Sequence, residues 1–181
     1  GIPREATVFV FVGSGFERKG AGPFLRALAA RREPAWGLVA GKDKHSARYG
    51  QLSVKLGIAG RVRFTGGVSD VKPFLAAADA FVLPTLYDPF PNAALEAMAC
   101  GLPVVTSTKC GAAEIVREGE NGFVRDALDV AGLAECLDRL DPETSRRQGE
   151  AARATVEPLA PDTMAREYLA LYERLLAGKL G

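Results

Sequence analysis

Short apolar runs that alternate with helical segments constrain this chain more than any other feature. The first run, "ATVFVFVG" (6–13), is continuous, β-branched and closed by Gly, which is typical of a strand buried on both faces. Similar runs occur at 35–41, 61–68, 80–85, 103–107 and 122–124, and amphipathic helical patterns occur at 22–32, 45–58, 71–78 and 92–100. This alternation predicts parallel strands joined by right-handed crossovers. We therefore predict a doubly wound α/β domain with a six-stranded parallel sheet and helices on both faces.

The chain becomes wholly helical after the last predicted strand. Helical patterns cover 129–140, 142–156 and 162–178. We expect one α/β domain over residues 1–160, followed by a C-terminal helix within 161–181. The apolar face of that helix is formed by Met164, Tyr168, Leu171, Leu175 and Leu176.

Composition limits the class of protein. With 181 residues, 48% hydrophobic and 25% charged, the chain can bury the core of one globular domain. Its 23 basic and 22 acidic residues nearly cancel, which argues against a nucleic-acid partner for the whole domain. No apolar run reaches the roughly 18 residues of a transmembrane segment. Because the chain opens without Met, we expect it to be a piece of a longer protein.

The three cysteines are Cys100, Cys110 and Cys136. Their spacing matches no metal site, and their odd number suits a reducing cytosol. Free cysteine is usually a small buried filler, so we interpret all three in that way.

The loops after the strands are the places to look for a ligand, because doubly wound sheets bind ligands at the carboxyl ends of their strands. The first loop is "GSGFERKG" (13–20). It is not a dinucleotide fingerprint, because Arg18 holds the third glycine position, and not a Walker loop, because Lys19 precedes Gly20. It presents two adjacent cations that suit phosphate oxygens. The alternative is a pair of solvated charges.

The segment 84–100 is the second candidate. Pro91 fits the first position of a helix, which leaves the N–H groups of Asn92 and Ala93 free for an anion. Glu96 lies one turn further and could accept both hydroxyls of a ribose, or it could be an ordinary exposed helix charge. Asp88, taken alone, is typical of a turn before proline.

Four linked motifs carry a resemblance to a known family. They are "VGSGFERKG" (12–20), "VRFTGGVSDV" (62–71), "AADAFVLPT" (77–85) and "YDPFPNAALEAMACGLPVVTS" (87–107). Over about residues 7–125 they resemble the C-terminal, Rossmann-like, donor-binding half of retaining glycosyltransferases with the B-type fold, of the group 1 or family 4 type. Within that family the chain is most similar to the lipopolysaccharide-core hexosyltransferases.

The resemblance implies a role for each matching residue. Arg18 and Lys19 would hold the nucleoside diphosphate, and Glu96 would bind the ribose hydroxyls. Asp88 would face the sugar and the β-phosphate, and the backbone at 66–68 would meet the base. The implied catalytic residues are Asp88, Lys19 and Arg18, and the implied donor-binding residues are Gly13, Ser14, Arg18, Lys19, Gly66, Val68, Phe90, Asn92, Ala93 and Glu96.

The chain departs from the family pattern at three points. The first acid of the pair is Asp88 where the family has Glu, with seven residues between it and Glu96. Pro89 and Pro91 replace glycines and remove two N–H donors. Ser14 stands where members often carry Arg. Because no Asp-x-Asp occurs, we expect no metal and no cofactor, with fixed cations stabilising the leaving group.

The expected function is transfer of a hexose, with retention, from a nucleoside-diphosphate sugar of the UDP-glucose kind. The acceptor would be a glycan or glycolipid such as the lipopolysaccharide core, bound by an N-terminal domain that this chain lacks, so the chain alone would be inactive. We expect a cytoplasmic protein, peripheral at the inner face of the membrane.

Two alternatives stay open at this point. One is a stand-alone nucleotide-binding module, and the other is a related two-domain enzyme such as a sugar-nucleotide epimerase or a phosphorylase. The place of the last helix is open as well. In the family this helix packs back toward the N-terminal domain, whereas the alternative is burial against this domain's own sheet.

Overall fold

The centre of the molecule is one parallel sheet. The computed structural model of the protein describes residues 1–178. Within them, the sheet has six strands in the order β3-β2-β1-β4-β5-β6, and every pairing is parallel. The predicted doubly wound α/β fold is therefore confirmed. The strands are β1 (Val8–Val12), β2 (Trp36–Ala40), β3 (Val62–Gly66), β4 (Ala80–Leu83), β5 (Val104–Ser107) and β6 (Gly122–Arg125).

The helices lie on both faces of this sheet. Helix α2 (Ala21–Ala30) packs against α3 (Ser46–Lys55) and α6 (Val130–Asp138), and α5 (Asn92–Ala99) packs against α7 (Pro142–Val156). Short 3₁₀ turns lie at Ala59–Arg61, Gly111–Glu114 and Glu157–Leu159. The α-helices are α1 (Phe16–Lys19), α2 (Ala21–Ala30), α3 (Ser46–Lys55), α4 (Lys72–Ala76), α5 (Asn92–Ala99), α6 (Val130–Asp138), α7 (Pro142–Val156) and α8 (Pro161–Leu176).

The short helix α1 was not predicted, because four residues are too few to show an amphipathic period. It begins after Gly15 and ends at Gly20, both in the left-handed region with φ of 73° and 80°. An Asp43 carboxylate oxygen accepts a hydrogen bond of 2.7 Å from the N–H of Phe16, the first helical residue. The predicted loop at 13–20 thus contains one turn of helix, Phe16–Lys19.

Aromatic packing anchors this turn to the sheet. Phe16 is buried, with its ring centroid 5.8 Å from that of Phe11 on β1 and 5.3 Å from that of Tyr49 on α3. Phe24 on α2 stacks on Phe11, with ring centroids 5.9 Å apart. Burying one such side chain contributes about 1.5–3 kcal/mol. The packing of Phe16 therefore fixes the position of the residues that follow it relative to the sheet.

The last helix stands away from this core. None of its residues is buried, and Tyr168, Leu175 and Leu176 are 52%, 52% and 90% exposed. Packing on the domain's own sheet, one of the two alternatives, is therefore wrong. The helix is otherwise close to the predicted span of 162–178, and residues 179–181 lie outside the described residues.

The cysteines only partly follow the prediction. Cys110 and Cys136 are buried, whereas Cys100 is exposed at the end of α5, so the interpretation of Cys100 as a buried filler is wrong. Burial raises the pKa of Cys136 to about 11 and also raises the pKa of Cys110, which keeps both thiols protonated. Within residues 1–178, no helix has both the length and the apolar character that crossing a bilayer requires.

Candidate functional site

The turn between β1 and α2, residues 13–20, is called the cation turn here because it carries Arg18 and Lys19. It is tied to the segment that follows β4. The Arg18 carbonyl accepts hydrogen bonds of 2.8 Å from both the Leu86 N–H and the Thr85 hydroxyl. A Cβ on Gly20 would lie 1.8 Å from the Pro84 carbonyl oxygen. Only glycine therefore allows the two segments to approach this closely.

The two cations share one carboxylate. Asp88 Oδ2 accepts a contact from Lys19 Nζ and lies 3.2 Å from Arg18 Nη1. The Arg18 guanidinium also donates a hydrogen bond of 2.9 Å to the Tyr87 carbonyl. The side chains of Lys19 and Asp88 are 13% and 7% exposed, whereas that of Arg18 is 51% exposed. The structure therefore brings the three expected catalytic residues together, with Asp88 on the cations.

Asp88 is held by the loop that follows β5. Its N–H donates to the Lys109 carbonyl at 3.1 Å, and its carbonyl accepts from the Gly111 N–H at 2.9 Å. A Cβ on Gly111 would lie 1.6 Å from the Pro89 carbonyl oxygen and 3.2 Å from the Phe90 ring. The backbone of the acidic segment is thus fixed on both sides of the carboxylate.

Buried hydroxyls reinforce this corner of the sheet, and sequence reasoning missed them. Ser107 donates to the Thr85 carbonyl, and Thr106 donates to the Leu83 carbonyl at 2.9 Å. Thr85, Thr106 and Ser107 are completely buried. The available signal was a polar residue at the carboxyl end of two apolar strands, in "FVLPT" and "VVTS".

The N-terminus of α5 presents two free amides. The helix begins at Asn92, with Pro91 as its N-cap, so the prediction that Pro91 occupies the first helical position was off by one residue. Pro91 accepts from the Ala94 N–H at 3.0 Å. In the described part of the chain, no hydrogen bond uses the N–H of Asn92 or Ala93. Both amides are therefore available to an anion.

A cavity lies between the cation turn and the end of β3. It has a volume of about 630 Å³ and is lined by Gly13, Ser14, Lys42 and Val68, among others. Gly66 lines a second cavity of about 580 Å³ with Lys42. Of the expected donor-binding residues, Gly13, Ser14 and Val68 thus line one cavity and Gly66 lines the other, whereas Arg18 and Lys19 line neither.

Lys42 lines both cavities, and sequence reasoning did not single it out. Its N–H lies 3.3 Å from the Ser14 hydroxyl oxygen, and its stem passes over Gly67, where a Cβ would be 2.2 Å from its Cε. The signal was the cation in "GKDK" directly after β2. Asp43, the next residue, is held as a carboxylate. Burial raises its pKa, but hydrogen bonds from the N–H groups of His45 and Phe16 outweigh that effect and leave the pKa below the usual value.

Glu96 lies in a different place. It is exposed on α5 and, together with Asn92, lines a groove of about 660 Å³ that we call the α5 groove. The far wall of the α5 groove is formed by the end of α7 and the start of α8: Arg153, Val156, Glu157, Leu159, Ala160, Pro161 and Met164. Gly13, Ser14 and Val68 do not line this groove.

Comparison with known proteins identifies the family at this point. Residues 1–155 match the family model described as glycosyl transferases group 1. This chain belongs to the group 1 glycosyltransferases. It is 35% identical over 180 residues to the lipopolysaccharide core biosynthesis glycosyltransferase LpsE of Rhizobium meliloti, a match that covers 98% of the chain and 52% of LpsE.

Solved structures agree with this family and with the fold. WaaG, a glycosyltransferase involved in lipopolysaccharide biosynthesis, superposes with a TM-score of 0.78 at 31% identity, over 84% of this chain and 43% of WaaG. Alr3699/HepE of Anabaena in complex with UDP-glucose gives 0.83 at 25% identity, over 93% of this chain and 49% of HepE. The resemblance to glycosyltransferases of the B-type fold and to lipopolysaccharide-core enzymes is confirmed. The group 1 chain spans about half the length of these relatives.

Proposed function

We propose that this group 1 chain is the donor-binding half of a retaining hexosyltransferase. The observation that carries the proposal is the pair of cations that share the Asp88 carboxylate, on the segment that leads into the free amides of α5. Asp88 contacts both cations and lies four residues before Asn92. Because an extended residue spans at most about 3.5 Å, the Cα atoms of Asp88 and Asn92 lie within roughly 14 Å of one another.

The diphosphate of the donor fits this pair of elements. Arg18 is half exposed, so its guanidinium can bind phosphate oxygens as a planar fork. The amides of Asn92 and Ala93 add two donors and the positive end of the α5 dipole. In the transfer step, the same groups stabilise the charge that develops on the departing nucleoside diphosphate. This chemistry does not depend on a metal ion, and we propose a metal-independent donor site.

The base and the ribose of the donor bind in separate cavities. The base enters the cavity lined by Gly13, Ser14 and Val68, and Glu96 accepts the ribose hydroxyls. UDP-glucose is the donor that we favour, because the HepE structure was solved with that ligand. The acceptor, a glycan or lipid-linked glycan of the lipopolysaccharide kind, binds to the other half of the protein. Such an acceptor places the full-length enzyme at the inner face of the membrane.

A thermal-unfolding panel of UDP, GDP, ADP and their sugars tests the donor assignment on this chain. One nucleoside diphosphate at about 100 times its Kd should stabilise the fold by roughly 2.7 kcal/mol. The same shift should appear with and without EDTA. A shift that EDTA abolishes contradicts metal independence, and no shift with any member of the panel contradicts the donor site itself.

A transfer assay distinguishes the enzyme from a nucleotide-binding module. The full-length protein should transfer hexose from the donor that the panel identifies, and NMR of the product should show retention at the anomeric carbon. The 181-residue chain alone should transfer none. Donor binding without any transfer by the full-length protein would favour the stand-alone module.

A further inference from the structure

The carboxylate of Asp88 occupies the groups that the proposed function gives to the diphosphate, and the inference below rests on that function. Asp88 Oδ2 contacts Lys19 Nζ and lies 3.2 Å from Arg18 Nη1. Carboxylate and phosphate oxygens are alike as acceptors for these cations. A diphosphate that binds here therefore has to share the cations with Asp88 or displace it from them.

Neither partner of the buried pair can withdraw through its backbone. Asp88 is hydrogen-bonded on both sides, to Lys109 at 3.1 Å and to Gly111 at 2.9 Å. The N–H of Lys19 donates to the Gly15 carbonyl at 3.1 Å, which fixes the Lys19 backbone in α1. Only Arg18, half exposed, is free to turn toward a ligand. The negative charge of Asp88 therefore stays beside the bound phosphates.

This charge acts differently on the donor and on the spent nucleotide. The cluster of Arg18, Lys19 and Asp88 has a net charge of +1, whereas the two cations without Asp88 would have a net charge of +2. A nucleoside diphosphate has a free terminal phosphate, whose second ionisation has a pKa near 6, so it carries about one more negative charge at pH 7 than the sugar-capped donor. Repulsion between close charges in a buried site scales with their product. The carboxylate thus opposes the product more than the donor.

We propose that Asp88 is a specificity-determining residue that competes with ligand phosphates for Lys19 and Arg18, and thereby weakens the hold on spent nucleoside diphosphate more than on its sugar donor. This role differs from a contact with the sugar. A contact with the sugar leaves the affinity for the free nucleoside diphosphate unchanged when Asp88 is replaced. Competition predicts that the affinity rises.

Calorimetric titration of the chain with UDP, UDP-glucose and uridine tests the proposal. If the thermal-unfolding panel selects a base other than uracil, the corresponding nucleotides of that base are used. Asp88→Asn should bind UDP about tenfold more tightly, the scale of one charge-assisted contact. It should bind UDP-glucose less than about threefold more tightly, because the sugar caps the terminal charge. The affinity for uridine should not change. Unchanged or weaker UDP binding by Asp88→Asn overturns the proposal. If neither the wild type nor Asp88→Asn binds UDP, that result contradicts the donor site instead.

Glu17→Gln is the matched control. Glu17 lies on α1 together with Arg18 and Lys19. Its side chain is 75% exposed and pairs with Arg48 at 3.0 Å. Its removal changes the net charge of the chain by the same amount as Asp88→Asn. UDP affinity should change by less than about twofold, because an exposed charge is screened. An equal gain in both variants would assign the effect to net charge and overturn the specific role of Asp88.

A second pair of variants keeps the test valid if Asp88→Asn does not fold. Lys19→Gln leaves Asp88 beside Arg18, whereas Lys19→Gln with Asp88→Asn removes both buried charges and keeps the wild-type net charge of the cluster. The double variant should bind UDP at least about tenfold more tightly than Lys19→Gln alone. Equal affinities would show that Asp88 exerts no repulsion. Lowering the pH from 7 to 5 should shrink the difference, since the terminal phosphate of UDP then gains a proton.

Discussion

The cation turn and the α5 groove are held in opposite ways, although the proposed function gives both to one ligand. The cation turn is tied to the segment after β4 by hydrogen bonds to the Arg18 carbonyl and by the contact of Gly20 with Pro84. Glu96 instead projects from an exposed helix surface into the α5 groove. Under the proposed function, the phosphates would therefore bind a turn that the fold fixes, whereas the ribose would bind one exposed side chain.

The difference teaches where preorganisation is located. Donors that are already in place stabilise a developing charge without reorganisation. The buried core of the sheet and the hydroxyls at its carboxyl edge provide this rigidity for the cation turn. The far wall of the α5 groove leads into α8, whose residues are not buried. We expect substitutions in the cation turn to affect stability and binding together, and substitutions around the α5 groove to separate them.

The largest effect should come from the point where the cation turn meets the segment after β4. Gly20→Ala puts a Cβ 1.8 Å from the Pro84 carbonyl oxygen at a φ of 80°. It should lower the unfolding free energy by about 3 kcal/mol or more, measured by urea denaturation. Gly15→Ala is the control, because its φ is 73° but its Cβ has open space, and it should cost only about 1–2 kcal/mol. Equal losses would show that the two segments are not tightly joined.

The next effect separates the two ends of the ligand. Arg18→Ala should weaken UDP binding by about 1.5–3 kcal/mol, the range for a charge-assisted hydrogen bond, and leave uridine binding unchanged. Glu96→Gln should weaken UDP and uridine alike by about 1 kcal/mol, because an amide has one acceptor oxygen where the carboxylate has two. Calorimetric titration of each variant with UDP and with uridine checks both expectations. A loss of UDP alone in Glu96→Gln would move Glu96 from the ribose to the phosphates.

These residues also show how far sequence reasoning reaches. The alternation of apolar runs predicts the parallel six-stranded sheet but not its strand order. The family resemblance, and not the local pattern, implies Gly13, Ser14 and Val68 as donor-binding residues, and these three line one cavity. The contact of Asp88 with Lys19 could not be predicted, because it joins side chains 69 residues apart through rotamers that no local pattern specifies. Helix α1 was missed because its stability comes from Phe16 packing and from Asp43, which lies in another loop.

A smaller effect should separate stability from binding at the buried hydroxyls. Thr85→Val removes the donor to the Arg18 carbonyl, so it should cost about 1–2 kcal/mol of unfolding free energy and also weaken UDP binding. Thr106→Val removes a hydroxyl that is equally buried but bonds to Leu83 within the sheet. It should cost similar stability and leave UDP affinity nearly unchanged. If Thr106→Val weakens UDP as much, the hydroxyl of Thr85 has no specific part in placing Arg18.

The acid limb of the stability curve should report on Asp43. Its pKa is lowered in the folded protein from a value of 3.8, so the stability it contributes is present above that value and lost as the pH falls through the folded pKa. The difference in unfolding free energy between the wild type and Asp43→Asn should therefore be constant at neutral pH and shrink below about pH 4. A difference that grows on acidification would contradict the lowered pKa.

The smallest effect should occur at α8, where the comparison between buried and open regions is most direct. Leu175 is 52% exposed on α8, whereas Leu133 on α6 is completely buried. Leu133→Ala should lower the unfolding free energy of the chain by about 2–5 kcal/mol, through lost burial and a cavity. Leu175→Ala makes the same chemical change, but it should stay within about 0.5 kcal/mol, since an exposed side chain loses little contact and Ala favours the helix. A loss of more than about 1 kcal/mol in Leu175→Ala would mean that α8 packs on this domain in solution. It would also remove the contrast on which the division between the cation turn and the α5 groove rests, because the start of α8 forms part of that groove.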